Sequence, residues 1–156
     1  MDEQAFSIRF AKSYQSQYNG EEPTNFTSLD FVGSLGCISD ALLYSKLFLP
    51  DLIEIEGMVL LKDFVEDAGG PESVRQLLAE GGGDPTTLEK RVNCLQINLS
   101  FPVRRPQDIA GDDHLLAREL ATSWTLILQK NYPDRRFMAQ VLDEDGEASV
   151  YFYQIR

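Results

Sequence analysis

The sequence predicts an α+β fold in which helices pack on a largely antiparallel sheet. Its clearest segment, from Asp112 to Arg156, carries a helical apolar pattern followed by two strand-like runs. The predicted elements follow the order strand, helix, strand or hairpin, two helices, long helix and hairpin, which is typical of α+β proteins. A chain of 156 residues can bury about 70% of the surface that its unfolded form exposes. We therefore expect one domain spanning residues 1–156.

The first predicted elements are a strand and a helix. Apolar and polar residues alternate from Ala5 to Tyr14, which indicates an N-terminal strand. The polar stretch from Ser13 to Asn25 is typical of a loop. From Ser34 to Leu49 the apolar spacing is helical, and Ser34 is placed to cap the start. Apolar side chains also lie off the main stripe of this helix, so we expect it to be buried on most sides.

The next segment predicts a short hairpin and a helix. Apolar residues flank Glu56-Gly57, which indicates two short strands, or one bent strand with a glycine bulge. Pro71 suits the first position of a helix that ends near Glu80. The glycines at 81–83 then break the chain.

A further helix is predicted to begin at Asp84-Pro85. Its apolar face is formed by Leu88, Val92 and Leu95, whereas Asn93 lies off that face. The segment from Asn98 to Gly111 is predicted to be a connector, because too little chain lies on either side of it for two separate cores.

A long amphipathic helix is predicted from Asp112 to the stop at Tyr132-Pro133. Asp112 is expected to be the N-cap, and Lys130 in the last turn suits the helix dipole. Trp124 falls within the apolar stripe and is therefore expected in the core rather than at a ligand site. The predicted stripe comprises Leu116, Ala117, Leu120, Ala121, Trp124, Ile127 and Leu128.

Two strands are predicted after this helix. The runs Phe137–Leu142 and Val150–Ile155 are rich in β-branched and aromatic residues. The acidic segment between them contains an Asp-Gly pair, which favours an antiparallel hairpin. Both faces of these strands carry apolar residues. We therefore expect at least one strand to lie away from the sheet edge, covered on two sides or covered on one side by a partner.

The formal net charge of −11 narrows the classes of partner. Proteins that bind nucleic acid directly need a positive surface to displace counterions from phosphate, so this class is disfavoured, as are anionic membranes. A basic protein partner is compatible with the charge. The same charge also serves solubility alone in many acidic proteins.

The predicted compartment is the cytoplasm. The start of the chain, Met1 to Gln4, is acidic and lacks the basic and apolar regions of a signal peptide. No apolar run is long enough to cross a bilayer. Cys37 and Cys94 have no C-x-x-C spacing, and we expect reduced, buried thiols rather than a disulfide.

The sequence assigns no catalytic residue, no metal ligand and no cofactor. His114 is the only histidine, and it directly follows two aspartates. A histidine beside a carboxylate could act as a general base. No nucleophile motif accompanies it. The acidic residues between Asp51 and Asp67 could form a hard-cation site or an acid/base pair, but they lack the EF-hand order. A solvated strand face is the expected role of Glu54 and Glu56.

Three groups of residues are candidates for binding. The pairs Arg104-Arg105 and Arg135-Arg136 could together clamp a carboxylate or phosphate, or they could form internal salt bridges with the surplus acids. Leu115 and Leu126 are eleven residues apart, about three helical turns, so their side chains point in the same direction from the helix axis. That direction lies outside the core stripe. They could be covered by the connector or by another chain, which indicates a protein interface.

One part of the sequence resembles known proteins. The pattern LAxxWxxxLxxxYPxRxF from Leu120 to Phe137, together with Leu49–Gly57, is similar to small bacterial proteins of uncharacterised families. The resemblance covers about a third of the chain, and its motifs are packing and turn residues. It implies a fold and a bacterial source, and it carries over no activity or catalytic residue.

The sequence therefore predicts an acidic, non-enzymatic protein-binding module. The sharpest form of this hypothesis is an immunity or inhibitor role against a basic toxin or enzyme, and a homo-oligomer is the other predicted kind of partner. The alternative is a small-molecule-binding protein or enzyme whose site combines scattered residues such as His114, the arginine pairs and the carboxylates near Glu54. A purely structural subunit is a third reading, which predicts an apolar patch around Leu115 and Leu126.

Overall fold

The computed structural model describes Val32 and residues 36–102, 108–109, 111–144 and 146–156. The strand expected at Ala5–Tyr14, the loop at Ser13–Asn25 and the pair Arg104-Arg105 lie outside these residues. The bounded elements of the described part are, in order, α1 (Ile38–Phe48), β1 (Leu52–Ile55), β2 (Met58–Leu61), α2 (Lys62–Asp67), α3 (Pro71–Glu80), α4 (Pro85–Val92), β3 (Leu95–Gln96), α5 (Ile97–Ser100), α6 (Asp112–Asn131), β4 (Arg136–Glu144) and β5 (Glu147–Ile155). Helices with antiparallel strands confirm the α+β prediction.

The C-terminal unit consists of the predicted helix and the predicted hairpin. β4 and β5 pair antiparallel along their whole lengths, from Arg136 opposite Ile155 to Glu144 opposite Glu147. The strands therefore extend through most of the acidic segment, and the turn is only two residues long. Gly146 in that turn has a φ of 84°, which glycine adopts at little cost. β3 pairs with the other side of β5, so β5 is the central strand of the order β3-β5-β4, as predicted.

The apolar stripe of α6 packs on this hairpin. Its buried residues are Ala117, Leu120, Trp124 and Leu128. Trp124 is 2% exposed, and its ring meets the ring of Phe152 edge-on with 5.7 Å between centroids. The core position of Trp124 is thereby confirmed.

The start of α6 differs from the prediction. Gly111, in a left-handed conformation with a φ of 96°, occupies the N-cap, and Asp112 is the first helical residue. The prediction that Asp112 caps the helix is therefore wrong. A glycine adopts this conformation without the steric cost of a Cβ atom, and the acidic residues still lie in the first turn, where they suit the helix dipole.

β1 and β2 form a hairpin around Glu56-Gly57, which excludes the single bent strand. Both turn residues have positive φ, 50° for Glu56 and 74° for Gly57. This is the geometry of a type I′ turn, whose twist matches that of the strands. Every residue of β2 is buried.

The first helix, α1, is shorter and more exposed than predicted. It begins at Ile38, with Cys37 at its N-cap, and none of its residues is buried. Ser34, the expected cap, lies outside the described residues. The expectation of a helix buried on most sides is wrong, because an apolar pattern on several faces does not require that the rest of the chain covers them. Cys37 is exposed, which corrects the prediction of a buried thiol, and Cys94 is half-buried.

The middle helices, α3 and α4, agree closely with the prediction from the sequence. α3 spans Pro71–Glu80 as predicted. Asp84 caps α4, because its carboxylate accepts hydrogen bonds from the backbone N–H groups of Thr86 and Thr87 at 3.1 and 3.2 Å. Leu88 of α4 is buried, as expected of the apolar face.

The core of the described part has two clusters that meet at β2. Val59 and Leu61 belong to the larger cluster beneath α6, and Met58 and Leu60 belong to a smaller one that includes residues of α3 and α4. Alternate side chains of one strand point to opposite faces, so β2 serves both clusters.

Glu89 of α4 and Asn93, the residue that caps its C-terminal end, link the two sheets. Asn93 accepts a hydrogen bond from Leu61 N–H at 2.9 Å and donates to the carbonyls of Val59 and Phe152 at 3.0 and 3.2 Å. Glu89 accepts from the backbone N–H groups of Val59 and Gln154 at 3.2 and 2.9 Å. These bonds satisfy edge groups of β2 and β5 that are not paired by any of the described strands.

The sequence placed Asn93 off the apolar face of its helix. It is nevertheless 0% exposed, as is Glu89. Both side chains are buried because unpaired strand edges within a core need polar partners. A helix that covers such edges must carry those partners near its apolar face.

Candidate interaction surface

The two arginines at the start of β4 have different environments. The guanidinium of Arg135 donates to Oε1 of Glu54 at 2.7 Å and lies 5.3 Å from the centre of the Tyr132 ring. The hydrogen bond to Glu54 raises the pKa of Arg135. An internal salt bridge is thereby confirmed for Arg135. Arg136 is exposed and forms no ion pair within the described residues.

His114 lies in the first turn of α6 between two carboxylates. Its Nε2 atom is 3.0 Å from Oδ2 of Asp143, although the ring N–H is not aligned with that oxygen, and its Nδ1 atom is 3.4 Å from Oδ1 of Asp113. The carboxylate of Asp143 is the main cause that raises the pKa of His114, and Asp113 adds to it. A raised pKa favours the imidazolium ion, which cannot accept a proton as a general base would.

His114 and the Arg135–Glu54 pair do not share a site. Arg135 directly precedes β4, whereas Asp143, the partner of His114, is eight residues further along the chain. A strand rises about 3.3 Å per residue, which separates the two groups by about 26 Å. His114 and the Arg135–Glu54 pair are therefore too far apart to form the single active site that the alternative hypothesis requires.

The carboxylates near Glu54 are engaged by basic side chains. Asp51 lies 2.9 Å from Lys46, and Glu56 lies 3.2 Å from Arg75, in addition to the pair between Glu54 and Arg135. Among the residues that the structure describes, no group of three His, Cys, Asp or Glu side chains is arranged to hold a metal ion.

A small cavity lies between α1, the start of α2 and α6. It measures about 50 Å³, and its lining includes Lys46, Asp51, Lys62 and Trp124. Small-molecule sites usually measure about 300–1,000 Å³. This cavity therefore has room for water-sized groups and not for a typical metabolite.

α1 is held to α6 by two bonds at its last turn. The indole N–H of Trp124 donates to the carbonyl of Leu47 at 2.7 Å, and the hydroxyl of Ser123 donates to the carbonyl of Phe48. These carbonyls lie at the C-terminal end of α1, where a helix leaves its acceptors unsatisfied. Leu47 and Phe48 also pack on the larger core cluster.

The rest of α1 presents a large apolar surface to solvent, which we term the α1 face. Ile38 is 82% exposed and Leu43 is 69% exposed. Single exposed leucines are common on protein surfaces, but a cluster of exposed large apolar side chains on one helix is not. The α1 face comprises Ile38, Leu42, Leu43, Tyr44 and Leu49.

Of the two leucines predicted to lie off the core stripe, Leu126 is exposed and Leu115 is half-buried. Leu126 follows Ser123 by three positions, so it neighbours that residue on the surface of α6. Because Ser123 bonds to the end of α1, Leu126 lies on the α1 side of α6. Leu126, one of the two residues of the predicted interface, is thus next to a larger apolar surface.

The α1 face was missed at the level of sequence, although a signal for it was present. Leu42, Leu43 and Tyr44 are consecutive, and three consecutive residues of a helix cover about 200° of its circumference. One core surface cannot cover so wide an arc. The alternatives were burial on most sides, which we predicted, and an exposed apolar face, which the structure shows.

No protein-family model matches this chain, and neither the curated proteins nor the solved structures contain a match to it. None of the helices in the described ranges has both the length and the apolar character needed to span a membrane.

Proposed function

We propose that the protein is a non-enzymatic, cytoplasmic protein-binding module whose α1 face captures a basic protein, in the manner of an immunity protein or an inhibitor. The observation that carries the proposal is the exposure of this face on a helix with no buried residue. An apolar helix face that docks in a partner's groove is a recurrent mode of protein recognition.

The composition of the α1 face supports this role. Leucine, isoleucine and tyrosine side chains supply apolar area, and the hydroxyl of Tyr44 adds a polar group at that surface. The tyrosine ring is partly held in place by Phe101, with 6.0 Å between centroids. A ring that is already positioned loses little entropy on binding.

The charge of the chain supports a basic partner. The net charge of −11 generates a field that accelerates the approach of cationic proteins and opposes nucleic acid and anionic membranes. Asp40 on α1 and Glu119, one turn before Ser123 on α6, are exposed acids near the apolar face. They could pair with lysine or arginine residues at the rim of the partner's groove.

Affinity purification of the tagged full-length chain from its native cells tests the proposal. The expected result is a co-purified basic protein whose retention decreases with salt, because exposed charges are screened. The double variant Leu42→Gln/Leu43→Gln should weaken binding of this protein by roughly tenfold or more, as expected for residues central to an interface.

A matched control is Ile155→Gln, which replaces an exposed apolar residue on the sheet face opposite α6 and α1. This variant should retain the partner. Equal retention by the Leu42/Leu43 double variant would refute the α1 face as the binding site, and capture of an acidic protein only would refute the proposed partner class.

A further inference from the structure

The edge of β4 carries a second inference, independent of the α1 face. We propose that two copies of this chain form a two-fold symmetric dimer by antiparallel pairing of β4 with β4, with Gln140 on the symmetry axis. The paired strands would join two three-stranded sheets into one continuous sheet.

Among the described residues, β4 has an unpaired hydrogen-bonding edge. The strand is nine residues long, and β5 is its only partner among the described strands. In a hairpin closed by a two-residue turn, every second residue directs its backbone groups to the partner strand. In β4 the residues that face β5 in this way are Arg136, Met138, Gln140, Leu142 and Glu144. The intervening residues direct theirs outwards, and within the described part of the chain no hydrogen bond reaches these outward groups. They belong to Phe137, Ala139, Val141 and Asp143.

This edge lacks most of the features that usually prevent strands from pairing with other chains; the one charge on the α6 side of β4 is Asp143, which lies 3.0 Å from His114. Natural edge strands are short, or carry proline, inward-pointing charges or bulges. β4 contains no proline, its register with β5 is continuous, and its charged residues lie only at the ends. A long, regular edge of this kind is expected to be paired in the native protein.

When two copies of β4 pair antiparallel, centred on Gln140, apolar residues lie opposite apolar residues on both sides of the centre. With Gln140 opposite itself, Ala139 lies opposite Val141 of the second copy, and Phe137 lies opposite Asp143. These are the residues with outward backbone groups, so the hydrogen-bonding phase is the correct one. The register uses all nine residues of the strand.

Charge complementarity favours this register. Arg136 would lie opposite Glu144 of the second copy, and the two-fold axis would produce this pair twice. Within one chain, Glu144 lies opposite Glu147, a like-charge pair that destabilises a hairpin, and Arg136 lies opposite the apolar Ile155. Each charge thus lacks an opposite charge across its own hairpin and would gain one across the dimer.

On the face of the hairpin away from α6, the apolar side chains of the two copies would also form one continuous surface. Met138 and Leu142 are 39% and 38% exposed, and the pairing places each opposite the other in the second copy. Such directly opposite residues interact in antiparallel sheets. Tyr151 and Tyr153 stack on the same face with 6.3 Å between ring centroids, which extends its apolar surface.

The helices leave room for the dimer. α6 packs on both β4 and β5, two strands that together span about 9.6 Å of sheet. A helix with its side chains is about 10 Å wide. The two α6 helices of the dimer therefore fit side by side on one face of the joined sheet.

Sedimentation equilibrium on the full chain tests the proposal by mass. The expected species is twice the 17.6 kDa chain mass. Either charge reversal alone, Arg136→Glu or Glu144→Arg, should shift the population to monomer, because each places like charges opposite one another. The double variant Arg136→Glu/Glu144→Arg should restore the dimer. Restoration by the double swap distinguishes direct pairing from a loss of folding.

Two further variants separate this edge from other surfaces. Ala139→Pro removes an outward N–H that β5 does not use, so it should yield a folded monomer. Leu42→Gln/Leu43→Gln on the α1 face should leave the dimer intact. A monomeric wild-type protein would overturn the proposal, as would a dimer that persists in Ala139→Pro or one that is lost on mutation of the α1 face.

Discussion

The buried carboxylate of Glu89 receives both terminal nitrogens of the Arg156 guanidinium, Nη1 at 2.8 Å and Nη2 at 3.0 Å. Two backbone N–H groups, from Val59 and Gln154, complete its hydrogen bonding. A charge that is 0% exposed would be very unfavourable without such partners. The ion pair is therefore a condition for packing α4 on both sheets.

We expect Arg156→Gln to destabilise the protein strongly. The substitution leaves the Glu89 carboxylate buried without its counter-charge, a change that typically costs about 3–5 kcal/mol. Because the Arg156 side chain is about one-third exposed, the loss should fall near the lower end of that range. Urea unfolding followed by Trp124 fluorescence measures it. The double variant Glu89→Gln/Arg156→Gln should lose less than the sum of the two single changes, and additivity would contradict a direct coupling.

Asn93→Leu should also be costly, for a different reason. The substitution preserves approximate volume but leaves the backbone groups of Val59, Leu61 and Phe152 without partners, which we expect to cost about 2–4 kcal/mol. Arg91→Leu on the same helix is the matched control, because Arg91 is exposed and surface changes usually stay within about 0.5 kcal/mol. Equal effects of the two changes in thermal unfolding would contradict the role of Asn93.

Glu54→Gln should have a small effect although Glu54 also pairs with an arginine. Its partner Arg135 is close, at 2.7 Å, but both side chains are partly exposed. Exposed ion pairs contribute about 0–1 kcal/mol. Urea unfolding of Glu54→Gln beside Glu89→Gln compares the exposed carboxylate with the buried one. A larger loss for Glu54→Gln would reverse the predicted order.

The stabilising effect of His114 should depend on pH. Its pKa in the folded protein is raised, mainly by Asp143. A raised folded pKa means that the stabilisation is complete below the unfolded value of about 6.5 and is lost as pH rises through the folded value. The melting-temperature difference between wild type and His114→Gln should be larger at about pH 5.5 than at about pH 8.5. Asp143→Asn should remove most of this dependence, and an equal difference at both pH values would exclude the interaction.

Substitutions in the α1 face should leave the fold intact. Leu42 and Leu43 are 64% and 69% exposed, so each change to glutamine should alter the free energy of unfolding by less than about 0.5 kcal/mol. Trp124→Phe, which removes the hydrogen bond to Leu47, should cost more and serves as the contrast. Circular dichroism during urea unfolding compares these variants without relying on tryptophan emission. A large loss of stability in the leucine variants would show that α1 is packed more closely than its exposure indicates.

The C-terminal unit was predictable because its apolar residues recur at the helical spacing in α6 and at every second position in the strands. The stripe of α6 repeats at the helical spacing, and the alternation in β4 and β5 fixes which side chains face it. The turn at Glu56-Gly57 was predictable only in part, because the glycine indicated either a turn or a bulge and did not distinguish a hairpin from one bent strand. These signals are local, and the structure preserves them.

The interactions that join distant elements were not predictable. Asn93 bonds to Phe152, 59 positions away, and no periodic pattern encodes such a contact. The exposure of α1 depends on what the rest of the chain covers, which a helical pattern alone does not specify. The separation of His114 and Arg135, by contrast, followed from the sequence, because the predicted helix from Asp112 to Tyr132 places them near its opposite ends, about 30 Å apart at a rise of about 1.5 Å per residue.

The bonds made by Glu89 and Asn93 also affect the amides of Val59, Leu61 and Gln154. None of these amides takes part in a backbone ladder at those bonds, since each donates to the side chain of Glu89 or Asn93. All three nevertheless donate to acceptors that are fully buried. They should exchange their protons for deuterium only when both clusters open together, so their protection would report the global unfolding of the described core rather than the fraying of either hairpin.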